Sequence, residues 1–219
     1  MAAFRAAVRA GYGMELDIHL LKDGSLAVIH DSTLLRTTGC PGNVEDLTAQ
    51  DLDNYYLEGT FETIPSFPKV LDMVAGRTPL IVELKSAGNN CAQLCQAACD
   101  LLDTYNGVYC LESFDPRCIR WLKKNRPDLI RGQLSENFVA EKKNPLPWYL
   151  KFSMTHLLSN FLTQPDFVAY RFADRKRLSV FLARKLWKLQ GVTWTLKTPD
   201  EQQIACAEGW LPIFEDYNP

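Results

Sequence analysis

Long apolar runs are missing from this sequence. No window of its 219 residues approaches the roughly 20 consecutive apolar residues of a membrane-crossing helix. An excess of one charge is missing too. The 24 Lys and Arg stand against 26 Asp and Glu, a net charge of -2, which gives no electrostatic case for nucleic acid or for an anionic surface. The first ten residues hold Arg5 and Arg9 but no apolar core, so no secretory leader is expected there. Seven cysteines, an odd number without a leader, argue against a disulfide framework and for a reducing, cytoplasmic compartment. Cys91, Cys95 and Cys99 recur every four residues on one helix face. That spacing suits a soft metal, but no second cluster completes a site, and small buried side chains are the preferred reading. Histidine is scarce: His19, His30 and His156 are all there is for proton transfer near neutrality. No glycine-rich phosphate turn is present.

What is there is a globular composition, 47% apolar, in a chain long enough to form one large core, read here as one domain over 1–219. Strand patterns start near residues 14, 80, 108, 130, 167, 191 and 211, with helical patterns between them at 66–74, 90–104, 116–125, 174–188 and 199–208. A further helix over 2–10 stops at Gly11 or Gly13. Alternating strands and helices predict a parallel sheet with helical crossovers. Seven such units after an opening helix predict an α/β (β/α)8 TIM barrel lacking strand 1; a doubly wound open sheet is the runner-up. The arm at 26–30 follows an Asp23-Gly24 turn and returns antiparallel to 14–20. Residues 31–65 read as an irregular excursion.

Strand periodicity puts Glu15 and Asp17 on one face, with Leu16 and Ile18 on the other. Glu83 and Lys85 share a face of an otherwise apolar strand, and Glu112 and Lys197 fall at other strand ends. In a parallel barrel those ends carry the chemistry. Three carboxylates around one lysine are either a structural ion-pair set or, because their charge exceeds what Lys85 neutralises, a site for a divalent cation. All-oxygen donors select a hard ion, Mg²⁺ or Ca²⁺. His30 follows the hairpin and reads either as a core histidine or as an acid/base group. His19 reads as a supporting residue, and His156 as structural. Trp194 is either core or a pocket wall.

Glu15-Leu16-Asp17, Lys22-Asp23-Gly24, His30-Asp31, Leu35-Arg36-Thr37-Thr38, Ile64-Pro65-Ser66-Phe67, Glu83-Leu84-Lys85, Glu112-Ser113-Phe114-Asp115 and Trp194-Thr195 occur in that order. Together they resemble the glycerophosphodiester phosphodiesterases over nearly the whole chain. The resemblance implies an eight-fold barrel with an insertion after its second strand, here 26–62. It implies a metal held by Glu15, Asp17 and Glu83, His30 as one of two acid/base histidines, Lys85 facing phosphate and Trp194 at the substrate. The implied reaction releases glycerol 3-phosphate and an alcohol from a small glycerophosphodiester, first through attack by a neighbouring glycerol hydroxyl and then through hydrolysis of the cyclic phosphate.

The family pattern opens with a strand ending His-Arg-Gly, which this sequence does not contain. The expectation is therefore an N-terminally shortened, impaired form, with strand edges at 14–20 and 211–215 open to self-association. Two alternatives belong to other classes: a barrel that binds metal and phosphodiester without turnover, and a phosphodiesterase acting on lysophospholipid head groups. The apolar stretch from Asn144 to Leu162 suits a membrane contact or a helix covering the barrel; its few basic residues favour the helix.

Overall fold

The structure, a computed structural model, describes residues 1–142 and 145–218. Asn144, the start of the apolar stretch noted above, lies outside the described residues. The chain divides into two compact units, residues 1–112 and 113–219.

In the first unit β1 (Met14–Leu20), β2 (Leu26–Val28), β3 (Leu80–Lys85) and β4 (Tyr109–Ser113, ending at the unit boundary) line up in the order β2-β1-β3-β4. β1, β3 and β4 run parallel, and β2 returns antiparallel to β1. Crossovers are made by the helices Phe67–Val74 and Cys91–Leu102. The first buries Phe67, Val70, Leu71 and Val74, the 3.6-residue spacing its sequence shows. The second buries Cys91, Cys95 and Cys99 against the unit, which accounts for their spacing as packing. The opening helix Ala2–Ala10 ends at Gly11, whose φ of 76° is left-handed backbone that suits glycine.

The hairpin turns at Gly24, φ 86°, as the Asp-Gly pair requires. Its returning arm is three residues, shorter than the 26–30 expected. Ile29 N–H nevertheless donates to the Asp17 carbonyl at 3.1 Å, so the arm covers β1 from Asp17 to Leu20. The edge expected to lie open along 14–20 is therefore covered over that part. The excursion that follows is not merely irregular. Leu34, Val44, Leu47, Leu52 and Ile64 pack with Leu21, Ala27 and Ile29 into a small apolar core. Short 3-10 turns at Val44–Asp46 and Leu52–Asn54 shape it.

In the second unit β5 (Arg131–Ser135), β6 (Phe167–Arg171), β7 (Gln190–Leu196) and β8 (Trp210–Phe214) are parallel neighbours in that order. Helices Pro116–Asn125 and Pro199–Ala207 each start on a proline behind a capping side chain. Asp115 accepts from Arg117 N–H at 2.8 Å, and Thr198 accepts from Glu201 N–H at 3.2 Å. The stretch read as one helix over 174–188 is a 3-10 turn at Phe172–Asp174 followed by the helix Leu178–Leu186. Arg171 Nε donates to Asp174 Oδ2 at 2.8 Å across that turn. The apolar stretch becomes two short helices, Trp148–Thr155 and Asn160–Thr163.

Candidate active site

Register builds the site. Asp17 pairs with Glu83 across β1 and β3, and Glu83 with Glu112 across β3 and β4, so three carboxylates sit side by side at one level. Glu15 lies two residues before Asp17, and Lys85 two residues after Glu83, on the same face by strand alternation. Lys85 Nζ reaches Asp17 Oδ1 at 3.0 Å and Glu83 Oε2 at 2.9 Å.

One lysine among so many acids leaves an unbalanced negative site. Burial, then repulsion from Asp17 and Glu83, pushes Glu15 up to about 8. Burial and repulsion from Asp17 push Glu83 up to about 8 against the pull of Lys85. Glu112 is buried and raised well above the ordinary carboxylate range, first by burial and then by Glu15, Glu83 and Asp17. Burial works against the charge on Lys85, but Glu83 and Asp17 outweigh it, and its pKa stays above the ordinary lysine value.

Oxygen atoms of Glu15, Asp17 and Glu83 lie within 4.8 Å of one another, close enough for one cation to touch all three. Glu112 Oε2 is buried with no hydrogen-bond partner among the described residues. An all-oxygen donor set with surplus negative charge and an unsatisfied buried carboxylate fits a hard divalent cation.

His30 lies just past β2 with its ring two-thirds exposed, at 67%. It is therefore not a core histidine. Nδ1 donates to Asp31 Oδ1 at 2.7 Å, and Arg36 Nε and Nη2 donate to the same carboxylate at 2.5 and 2.7 Å. The Arg36 hydrogen bonds hold Asp31 well below the usual carboxylate range, so it stays an anion behind the imidazole. A neutral ring that donates from Nδ1 presents Nε2 as an acceptor.

Sequence reasoning had no role for Glu45 or Arg36. His19 is buried, with Nδ1 2.8 Å from Glu45 Oε1 and Nε2 3.4 Å from the His30 carbonyl oxygen. It thus ties β1 to the segment that carries His30. Glu45 lies on a 3-10 turn 26 residues away, and no local pattern announces that pairing.

Trp194 lies on β7 in the second unit. Its ring meets Phe114 edge-on at 5.6 Å, and Phe114 meets Phe138 at 5.9 Å. Its indole Nε1 is buried with no hydrogen-bond partner among the described residues. Lys197 pairs with Glu215 and Asp216 at the surface. His156 packs tilted against Phe152, ring centroids 4.4 Å apart, in the same unit. No helix among the described residues is long and apolar enough to cross a membrane.

The chain is similar to known proteins in sequence and in fold. A glycerophosphodiester phosphodiesterase of Caldanaerobacter subterraneus is 30% identical over 164 residues, 70% of this chain and 65% of that protein. One from Bacillus altitudinis is 40% identical over 92 residues, 39% of this chain and 38% of that protein. The chain thus matches less than two thirds of the length of either relative. A phosphodiesterase of Oleispira antarctica, solved with its product sn-glycerol-3-phosphate, superposes with a TM-score of 0.80 at 18% identity, covering 99% of this chain and 86% of that one. The fold is accordingly α/β, of the (β/α)8 barrel class. The model of the glycerophosphoryl diester phosphodiesterase family matches residues 1–218, and with the acidic strand pairing and these likenesses in hand, the chain belongs to that family.

Proposed function

We propose that the chain hydrolyses small glycerophosphodiesters to glycerol 3-phosphate and an alcohol, using a divalent cation at Glu15, Asp17 and Glu83. The observation that carries this reading is the surplus of buried carboxylates around Lys85 at one level of β1, β3 and β4. Mg²⁺ or Ca²⁺, when bound, supplies Lewis-acid polarisation of a phosphoryl oxygen. The donor set suits either ion.

The remaining work falls to the chain's own groups. Lys85 keeps its proton and meets the anionic diester with a fixed positive charge. His30 Nε2 takes the proton from the attacking oxygen, and Asp31 steadies the imidazolium that forms. Arg36 keeps Asp31 ionised and aimed. His19 and Glu45 hold the backbone of the His30 segment to β1. A substrate role for Trp194 is what the family resemblance implies, and its indole N–H has no acceptor among the described residues. A reducing, cytoplasmic setting belongs to this reading and rests on the odd cysteine count.

The test is release of glycerol 3-phosphate from glycerophosphocholine and glycerophosphoethanolamine with Mg²⁺, with Ca²⁺ and with chelator. Release that needs a cation and falls about 10²–10⁴-fold in His30→Ala is the expected result. A folded chain that binds the cation and releases nothing would replace the reading with a binding protein.

A further inference from the structure

The second unit presents an apolar surface that its own core covers only in part. The helix Trp148–Thr155, the turn through Asn160–Thr163 and the helix Leu178–Leu186 enclose an open cavity of about 600 Å³. Phe152, Leu157, Phe161, Leu178 and Trp187 line it, with Arg177 among them. Phe161 and Trp187 meet edge-on at 5.3 Å, which joins the turn to the second helix. Phe161 is 64% exposed, Leu178 70% and Trp187 52%; Leu162, Leu186 and Trp148 are exposed as well. Scattered exposed apolar residues are ordinary, but large ones gathered around one groove mark an interaction site.

The charged residues within the two segments that form this groove are of one sign. Residues 175–188 hold Arg175, Lys176, Arg177, Arg184, Lys185 and Lys188 and no acid, and residues 145–163 hold Lys151 and no acid. The chain as a whole carries -2, so this is a local excess. Two of these cations are already engaged: Arg175 pairs with Glu208, and Arg184 donates to the Glu208 and Gly209 carbonyls. Lys176, Arg177, Lys185 and Lys188 have no ion pair among the described residues, and Arg177 Nε is buried without a hydrogen-bond partner.

We propose that this face docks on an anionic lipid bilayer, with its aromatic and leucine side chains at the headgroup–acyl boundary and Lys176, Lys185 and Lys188 against lipid phosphates. Aromatic and leucine side chains rimmed by lysine and arginine are what an interfacial surface requires. A second copy of the chain is a poorer occupant, since a two-fold contact would set these cations against themselves. The apolar stretch alone, with few basic residues, argued for a covering helix. Packing alters that balance by setting the basic helix Leu178–Leu186 alongside it. The inference goes beyond the hydrolytic reading and does not depend on it.

The experiment is co-sedimentation of the full chain with vesicles of phosphatidylcholine, alone or mixed with phosphatidylglycerol, at low and high salt. Binding is expected only with phosphatidylglycerol and is expected to weaken as salt screens it. The double variant Lys185→Gln, Lys188→Gln is expected to bind about 30-fold more weakly. Phe161→Ser with Leu178→Ser, at exposed positions that leave circular dichroism unchanged, is expected to abolish sedimentation. No binding by the unsubstituted chain, or equal binding by the variants, would overturn the proposal. So would a concentration-dependent dimer that the serine variant dissolves, seen without vesicle binding, because it would assign the face to a second copy.

Discussion

At the scale of single residues, the acidic cluster makes the chain's pH behaviour its most readable property. Glu15 and Glu83 titrate near 8 in the folded chain and near 4.5 when unfolded. Between those values the folded state holds protons that the unfolded state releases, so stability falls as pH rises through that window. A cation that binds only the folded cluster offsets the loss, and protons compete with it. Mg²⁺ is therefore predicted to raise Tm more at pH 8.5 than at pH 6, as read by differential scanning fluorimetry; equal shifts would count against the assignment. Glu112→Gln removes the most strongly buried acid, and without cation it is predicted to blunt the fall in Tm as pH rises above the ordinary carboxylate range. Asp31→Asn leaves the His30 ring without its anion. It is predicted to lower kcat while the cation response of Tm stays in place.

At the scale of elements, much was legible and the gaps have physical reasons. Glu15 and Asp17 share a face because strand side chains alternate, and this needs no partner strand to be known. The strands near 14, 80, 108, 130, 167, 191 and 211 are present because their apolar runs are short and bounded by turn and helix signals. The lateral contact of Asp17, Glu83 and Glu112 depends on register between strands, which single-strand periodicity does not contain. The His19–Glu45 contact depends on how the excursion folds back, and the excursion's apolar residues follow no helix or strand period. That excursion behaves as a packed element. Leu52→Ala, in its core, is predicted to destabilise the chain by about 2–5 kcal/mol in urea unfolding. Glu45→Ala releases His19 from the opposite side. It is predicted to reduce kcat/KM about tenfold without changing cation affinity, on the ground that supporting residues of this kind typically contribute 10- to 100-fold. A change in cation affinity would show that Glu45 belongs to the acidic cluster instead.

At the scale of the whole molecule, neutrality and function are reconciled by segregation of charge. A net charge of -2 gave no electrostatic case for a polyanionic partner, yet the first unit concentrates carboxylates at one strand level and the second gathers cations over 175–188. Totals conceal both, because a sum over the chain carries no position. The proposed chemistry stands on one property of the molecule, that Glu15, Asp17 and Glu83 hold a divalent cation. Calorimetric titration of the full chain with Mg²⁺ and with Ca²⁺ at pH 8, beside Asp17→Asn and Glu83→Gln, tests it most directly. One ion per chain, with both variants at least about tenfold weaker, is the predicted result. Binding of equal strength in the variants, or no binding by a folded chain, would contradict it.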